Sequence, residues 1–159
     1  DRLVSEYMNR MLSSFTYVAS CEIKEKYHHR VPKYHLIYAT RHEDGLELIN
    51  DAMCKARREF LGAQFTKGTL FDLTPEEEVP DLSELRKSLL ALVPEGGRLS
   101  RQDLRLKGLL AHFGRYEVKD YNAAIGDLLK AGKLQSSTGK TRINDTVLLS
   151  RAPFSPTRD

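Results

Sequence analysis

The sequence predicts a mixed fold in which a short α/β segment is followed by a small α+β domain of three helices and a terminal β-hairpin. In the first part, a helical pattern, two strand-like runs and a second helical pattern follow one another. In the second part, three amphipathic helical patterns precede two strand-like runs. Hydrophobic periods of about 3.6 and 2 residues distinguish the helices from the strands.

The N-terminal part is organised around one strand, Tyr34–Thr40, whose run of apolar and aromatic residues is almost continuous. Such a run is typical of a strand covered on both faces. Residues 1–14 are predicted to form a helix, residues 15–25 a strand and residues 41–45 a loop before a helix that starts at about Leu46. Two strands with flanking helices cannot bury both faces of Tyr34–Thr40, so we expect a missing N-terminal part or a second copy to complete the sheet.

Residues 98–151 carry the pattern of a winged helix-turn-helix. Ser100 and Asp103 are spaced as a capping box, and Gly114 ends the helix that they begin. A second helical pattern ends at Gly132. The apolar positions are Leu106, Leu109, Leu110 and Phe113 in the first helix and Tyr121, Ala124, Ile125, Leu128 and Leu129 in the second.

A hairpin and one further helix complete this predicted domain. Residues 133–136 and 146–150 are strand-like, and the loop at 137–145 contains Gly and an Asn-Asp pair, which favour turns. Upstream, Asp81 and Glu84 mark another capped helix, whose leucine stripe ends before a Pro-Glu-Gly-Gly stretch. Three helices followed by a basic hairpin, the wing, make one winged-helix domain.

The predicted organisation has four parts: a partial α/β segment at residues 1–70, an acidic linker at 71–80, the winged helix at 81–151 and a tail at 152–159.

The charge balance changes along the chain. Residues 96–151 contain eleven Lys and Arg against five Asp and Glu, a net charge of +6, whereas residues 72–95 have a net charge of −5. Clustered cations on one folded unit attract polyanions through the release of counterions, largely without regard to base sequence.

The composition favours an intracellular globular protein. Of 159 residues, 40% are hydrophobic and 30% charged, and no apolar run is long enough to span a bilayer. Since no secretory signal pattern is visible either, we expect a cytoplasmic location and no membrane partner. Cys21 and Cys54 are too isolated for a disulfide framework or a zinc motif, so reduced thiols are expected.

Several blocks resemble the three-Cys-motif partner proteins. Residues 33–42 (KYHLIYATRH) and 45–53 (GLELINDAM), preceded by FTYV at 15–18, combine a strand, a loop His and a helix Gly at the family's spacing, and the GKTRIN wing at 139–144 is similar to the family's C-terminal winged helix. The resemblance implies that this chain holds the C-terminal piece of a Rossmann-like, methyltransferase-type sheet followed by the winged helix. It also implies a radical-SAM-like partner that carries three cysteines.

The chain departs from that family where a cofactor would bind. An S-adenosylmethionine site needs a Gly-rich turn between a strand and a helix, with an acidic residue on a following strand, and this sequence contains neither. We therefore expect no cofactor and no enzymatic activity in this chain alone. S-adenosylmethionine binding would require the missing N-terminal part.

Other motifs favour ordinary structural roles. Glu22-Ile23-Lys24 has the form of a nuclease motif but lacks an acidic residue on a preceding strand. The histidines share no ligand spacing with the cysteines, so no metal site is predicted. Arg41 and His42 follow the central strand, where open α/β sheets place their sites, and form a possible loop site, although capping of the next helix explains this loop equally well.

Nucleic-acid binding is the function that the sequence predicts: the expected ligand is DNA or RNA, with DNA favoured, and it is bound mainly through its backbone. The candidate binding residues are Arg101, Arg105, Arg115, Lys119, Asn122, Lys130, Lys140 and Arg142. Ala123 and Gly126 on the same helix face carry no base readout, so phosphate contacts are expected to dominate. Two alternatives remain: a protein-protein assembly module for the radical-SAM-like three-Cys partner, and the targeting end of a full-length methyltransferase or nuclease.

Overall fold

The computed structural model describes residues 2–26, 29–66 and 81–152. Within these ranges the fold is mixed α/β, with five helices and two small antiparallel sheets. The chain divides into two compact units: the first comprises residues 1–80 and 109–117, and the second comprises residues 81–108 and 118–159. The predicted linker at 71–80 and residues 153–159 of the predicted tail lie outside the described residues.

The first unit contains a helix, a β-hairpin and a long second helix. These are α1 (Arg2–Met11), β1 (Tyr17–Ile23), β2 (Tyr34–Thr40) and α2 (Glu43–Thr66). β1 and β2 are antiparallel over their full length, with Tyr17 opposite Thr40 and Ile23 opposite Tyr34. The unit also includes residues 109–117, which are the end of a later helix and the turn that follows it.

β2 has the bounds that the sequence predicts, but its two faces are not both covered within the described residues. Tyr34 is 56% and Leu36 37% exposed. The physical reason is that, among the described residues, β2 pairs only with β1, and a two-stranded sheet leaves much of its surface open.

α2 begins at Glu43, three residues before the predicted start, so residues 43–45 are helical rather than part of a loop. The Thr40 hydroxyl accepts a hydrogen bond from the His42 amide at 3.1 Å, and the acidic side chains of the first turn suit a helix N-terminus. Gly45 fits here without displacing a neighbour, whereas a Cβ would lie 2.8 Å from Thr40 Oγ1 and force a shift.

The second unit contains three helices and a three-stranded antiparallel sheet. In chain order these are α3 (Leu82–Leu92), β3 (Leu99–Ser100), α4 (Arg101–Ala111), α5 (Val118–Lys130), β4 (Leu134–Ser136) and β5 (Leu148–Arg151). β5 lies between β3 and β4. The helices and the hairpin match the predicted order, whereas β3 was not predicted. The last three residues of α4 belong to the first unit.

Local capping explains where these helices begin and end. The Asp103 amide donates to Ser100 Oγ at 2.9 Å and Ser100 Oγ donates to Asp103 Oδ2 at 2.7 Å, which ties the start of α4 as predicted. Asp81 accepts a hydrogen bond from the Ser83 amide at the start of α3. Gly132, at φ 65°, ends α5 in the left-handed conformation that glycine adopts without strain.

Tight helix packing forms the core of the second unit. Leu85 and Leu89 of α3, Leu104 of α4 and Tyr121 of α5 are fully buried. Gly108 allows the close approach, since a Cβ at this position would lie 2.9 Å from both Leu89 Cδ2 and Tyr121 Cε1. This packing buries one face of α5 in the core and leaves the opposite face exposed to solvent.

Candidate nucleic-acid interface

The outward face of α5 carries two cations. Lys119, Ala123 and Lys130 are exposed, and Asn122 and Gly126 between them are partly exposed. Their spacing of three, four and seven residues places them on one side of the helix. Ala123 has a small side chain and Gly126 has none, so a ligand could approach the helix backbone closely, with a lysine near each end of the face.

A partly buried polar network joins this face to α4 and to the loop between β4 and β5. Arg101 Nη2 donates to Asn122 Oδ1 at 2.9 Å, and Arg101 Nη1 donates to Asp145 Oδ1 and to the Ile143 carbonyl, each at 3.2 Å. Arg105 Nη1 donates to Asp145 Oδ1 at 2.8 Å. These contacts fix the end of the loop against α4 and α5.

The network determines what Arg101 and Arg105 contribute to the unit. The Arg105 side chain is only 8% exposed, and both guanidinium groups are engaged with Asp145. The hydrogen bond from Arg105 holds the pKa of the Asp145 carboxyl below its ordinary value, with burial acting in the opposite direction. Asp145 therefore stays ionised at neutral pH and keeps both arginines in place.

The loop that follows β4 is stabilised by its own hydrogen bonds. Ser136 Oγ donates to the Lys140 carbonyl at 2.6 Å, and the Ser137 amide donates to the Leu148 carbonyl at 2.9 Å. Gly139 has φ 68°, so it provides the left-handed residue of the turn. Lys140 and Arg142 are exposed beyond this turn.

The loop and α5 meet around one cleft of about 160 Å³. Asn122 and Gly126 line it from α5, and Thr141, Arg142 and Ile143 line it from the loop. Arg142 of the loop and the outward face of α5 thus belong to one continuous surface of the second unit.

The remaining predicted residues lie elsewhere. Arg115 is in the first unit, where its guanidinium lies 5.4 Å from the centre of the Tyr116 ring.

The possible loop site of Arg41 and His42 lies after β2. Arg41 Nε donates a hydrogen bond to the Ser14 carbonyl at 3.0 Å, and its guanidinium lies 5.8 Å from the Phe15 ring centre. The His42 backbone contacts Thr40 and leads into α2. Arg41 therefore holds the turn between α1 and β1.

Sequence reasoning missed the role of Asp145. It was interpreted only as a turn residue, although it is the one acidic residue in the predicted loop at 137–145. Its two arginine partners lie 40 and 44 residues earlier in the chain, too far apart for a local pattern to indicate the pairing.

Comparison with known proteins does not place the chain in a family: no family model, no curated protein and no solved structure matches it. Within residues 2–26, 29–66 and 81–152, no group of three or more His, Cys, Asp and Glu side chains is arranged to hold a metal ion. In the same ranges, no helix has both the length and the apolar character needed to cross a bilayer.

Proposed function

We propose that the second unit is a winged helix that binds duplex DNA mainly through its phosphate backbone. In this proposal α5 is the helix that enters the groove, and the loop between β4 and β5 is the wing. The observation that carries it is the continuous surface on which Arg142 of the loop and the outward face of α5 line one cleft.

The order of the elements supports the winged-helix assignment. Helix α3, the short strand β3, helices α4 and α5, and the hairpin β4–β5 follow one another, and β5 pairs with both other strands. The Arg101 and Arg105 contacts with Asp145 then fix the wing relative to α4 and α5. A preorganised wing needs less ordering when it meets a ligand, which favours binding.

The charges support phosphate contacts rather than base readout. The proposed contacts are Lys119 and Lys130 on α5 and Lys140 and Arg142 on the wing. The Asn122 side chain, the best candidate for reading a base, already accepts a hydrogen bond from Arg101. Affinity should therefore depend strongly on salt and only weakly on the DNA sequence.

A direct test is fluorescence-anisotropy titration of labelled duplex DNA, with duplex RNA and single-stranded DNA as comparison ligands. The double variant Lys140→Ala/Arg142→Ala should bind duplex DNA at least about tenfold more weakly at low salt, because two charge-assisted phosphate contacts are lost. A matched control is Lys87→Ala/Lys107→Ala, which removes the same charge from exposed positions of α3 and α4.

The control separates a specific wing contact from general electrostatic attraction. Equal weakening by both double variants would contradict a phosphate-binding wing, because only net charge would then matter. No binding of any nucleic acid by the wild type at low salt would reject the proposed function.

Protein assembly is a second candidate, and the first unit provides the observation that favours it. Leu3 and Tyr7 of α1 and Tyr34 of β2 are more than half exposed, although they are large apolar or aromatic residues. In this alternative, the first unit is the end of a Rossmann-like sheet that another chain or segment completes, and a radical-SAM-like protein is the partner. Binding through such a surface should persist at high salt, whereas DNA binding should not.

A further inference from the structure

A second cleft, of about 590 Å³, lies within the first unit. Its walls come from the end of β1, from the middle of α2 and from residues 110–115. Small-molecule sites in proteins commonly have volumes of roughly 300 to 1,000 Å³. The size and the three-sided shape of this cleft therefore fit a small organic ligand better than a flat protein surface.

The chemistry of the lining is amphipathic. Six apolar side chains form the interior: Ile23, Met53, Phe60, Leu61, Leu110 and Phe113. Arg57, Lys24 and Arg115 also line it, and Glu22 is the only acidic side chain among the described lining residues. Burial raises the pKa of the Cys21 thiol, an effect that Arg57 partly offsets, so Cys21 adds no negative charge at neutral pH.

One wall of the cleft is held rigidly. Fully buried Asn50 of α2 accepts a hydrogen bond from the Gly114 amide at 3.0 Å and donates one to the Tyr116 carbonyl at 2.8 Å. Gly114 has φ 73°, and a Cβ at this position would lie 3.3 Å from Met53 Cβ. The turn at 112–115 is therefore held against α2, and the cleft is preformed rather than created by a ligand.

We propose that this cleft binds an amphipathic organic anion, in which a carboxylate is carried on an aliphatic or aromatic body. The apolar body would replace water against Phe60, Leu110 and Phe113, and burying it is the main driving force. The carboxylate would face Arg57 and Lys24, which select an anion over a neutral molecule of the same shape. This site is separate from the proposed DNA-binding surface, which lies in the second unit.

The test is titration of the ¹⁵N-labelled chain with decanoate, and in parallel with decanol as the uncharged analogue. Saturable amide shifts confined to the lining residues are expected with decanoate, and at least about threefold weaker binding with decanol. Arg57→Gln should remove most of this preference for the anion. Lys55→Gln is the matched control, since Lys55 is an exposed cation of α2 that does not line the cleft.

Filling the cleft provides an independent variant. Ala56 is exposed on α2 and lines the cleft, so Ala56→Trp should reduce decanoate binding at least tenfold by occupying the space. Ala52→Trp places the same ring one turn earlier, on a residue outside the lining, and should leave binding within about twofold.

Three results would overturn the proposal. The first is the absence of saturable shifts with decanoate, and the second is shifts that fall mainly on residues away from the lining. The third is saturable binding of an acidic amphipathic peptide at the cleft without any binding of decanoate, which would assign the cleft to a protein partner. The wild-type shift map decides the question even if a Trp variant fails to fold.

Discussion

Arg105 and Asp145, forty residues apart in the chain, form a two-point ion pair in which Nη1 lies 2.8 Å from Oδ1 and Nη2 lies 3.2 Å from Oδ2. The guanidinium is almost completely buried, while the carboxylate is 44% exposed. Because the pair joins α4 to the end of the β4–β5 loop, it determines where the proposed wing lies.

Removing the carboxylate should destabilise the second unit. Asp145→Ala leaves Arg105 buried without its main acceptor, and we expect the free energy of unfolding to fall by about 1–2 kcal/mol, less than for a fully buried pair. Urea denaturation measures this change. Asp127→Ala breaks the more exposed Arg86–Asp127 pair and should cost only about 0.5 kcal/mol, so equal losses would contradict the assigned role of Asp145.

The same carboxylate predicts a dependence of stability on pH. The pKa of Asp145 is lower in the folded chain than in the unfolded chain, so its contribution to stability is complete above the unfolded-state pKa. That contribution is lost as the pH falls below about 4 and through the folded-state pKa. The stability difference between the wild type and Asp145→Asn should therefore shrink between pH 6 and pH 3.

Urea denaturation at several pH values checks this sign. A difference that stays constant down to pH 3 would contradict the lowered pKa. Other acidic residues, such as Asp81, titrate in both proteins and so cancel in the comparison.

Asn50 should be critical for the first unit. It is fully buried and its side chain bonds to the Gly114 amide and the Tyr116 carbonyl, so Asn50→Ala leaves two buried backbone groups without these partners. We expect a loss of about 2–3 kcal/mol in the free energy of unfolding. Leu48→Ala, at a position that is 76% exposed, should change it by less than about 0.5 kcal/mol. If Asn50→Ala lowers the free energy of unfolding only slightly, the turn at Gly114 is held by other contacts.

Two glycines of the second unit should respond to alanine in opposite ways. Gly108→Ala places a Cβ 2.9 Å from both Leu89 and Tyr121 and should destabilise the unit by about 1–3 kcal/mol. Gly126, in α5, has no atom within 4 Å of a built Cβ, so Gly126→Ala should stabilise the helix by about 0.5–1 kcal/mol. Thermal unfolding of the two variants should shift in opposite directions, and equal shifts would contradict the packing described for Gly108.

Short-range patterns predicted much of the fold. The capping pair Ser100 and Asp103 and the helix stop at Gly132 depend on residues a few positions apart, and both are confirmed. The bounds of β2, Tyr34–Thr40, also followed from its composition. In each case the physical cause is local, so one stretch of sequence contains the information.

Long-range pairing explains what the sequence could not predict. β3 has only two residues, and it pairs Leu99 with Leu149, far away in the chain. The link from Asn50 to Gly114 joins positions 64 residues apart. No periodicity reports contacts of this kind, and the burial of Arg105 beside Asp145 was missed for the same reason.

The salt dependence of DNA binding tests the central claim most directly. Four phosphate contacts predict a slope of log K against log [salt] of about −3 to −4, which is about a hundredfold loss of affinity between 50 and 200 mM salt. Lys140→Ala/Arg142→Ala should reduce the slope to about −2, while Lys87→Ala/Lys107→Ala should leave it unchanged. A wild-type slope near zero, or the same slope in all three proteins, would contradict the proposal that the wing binds phosphate.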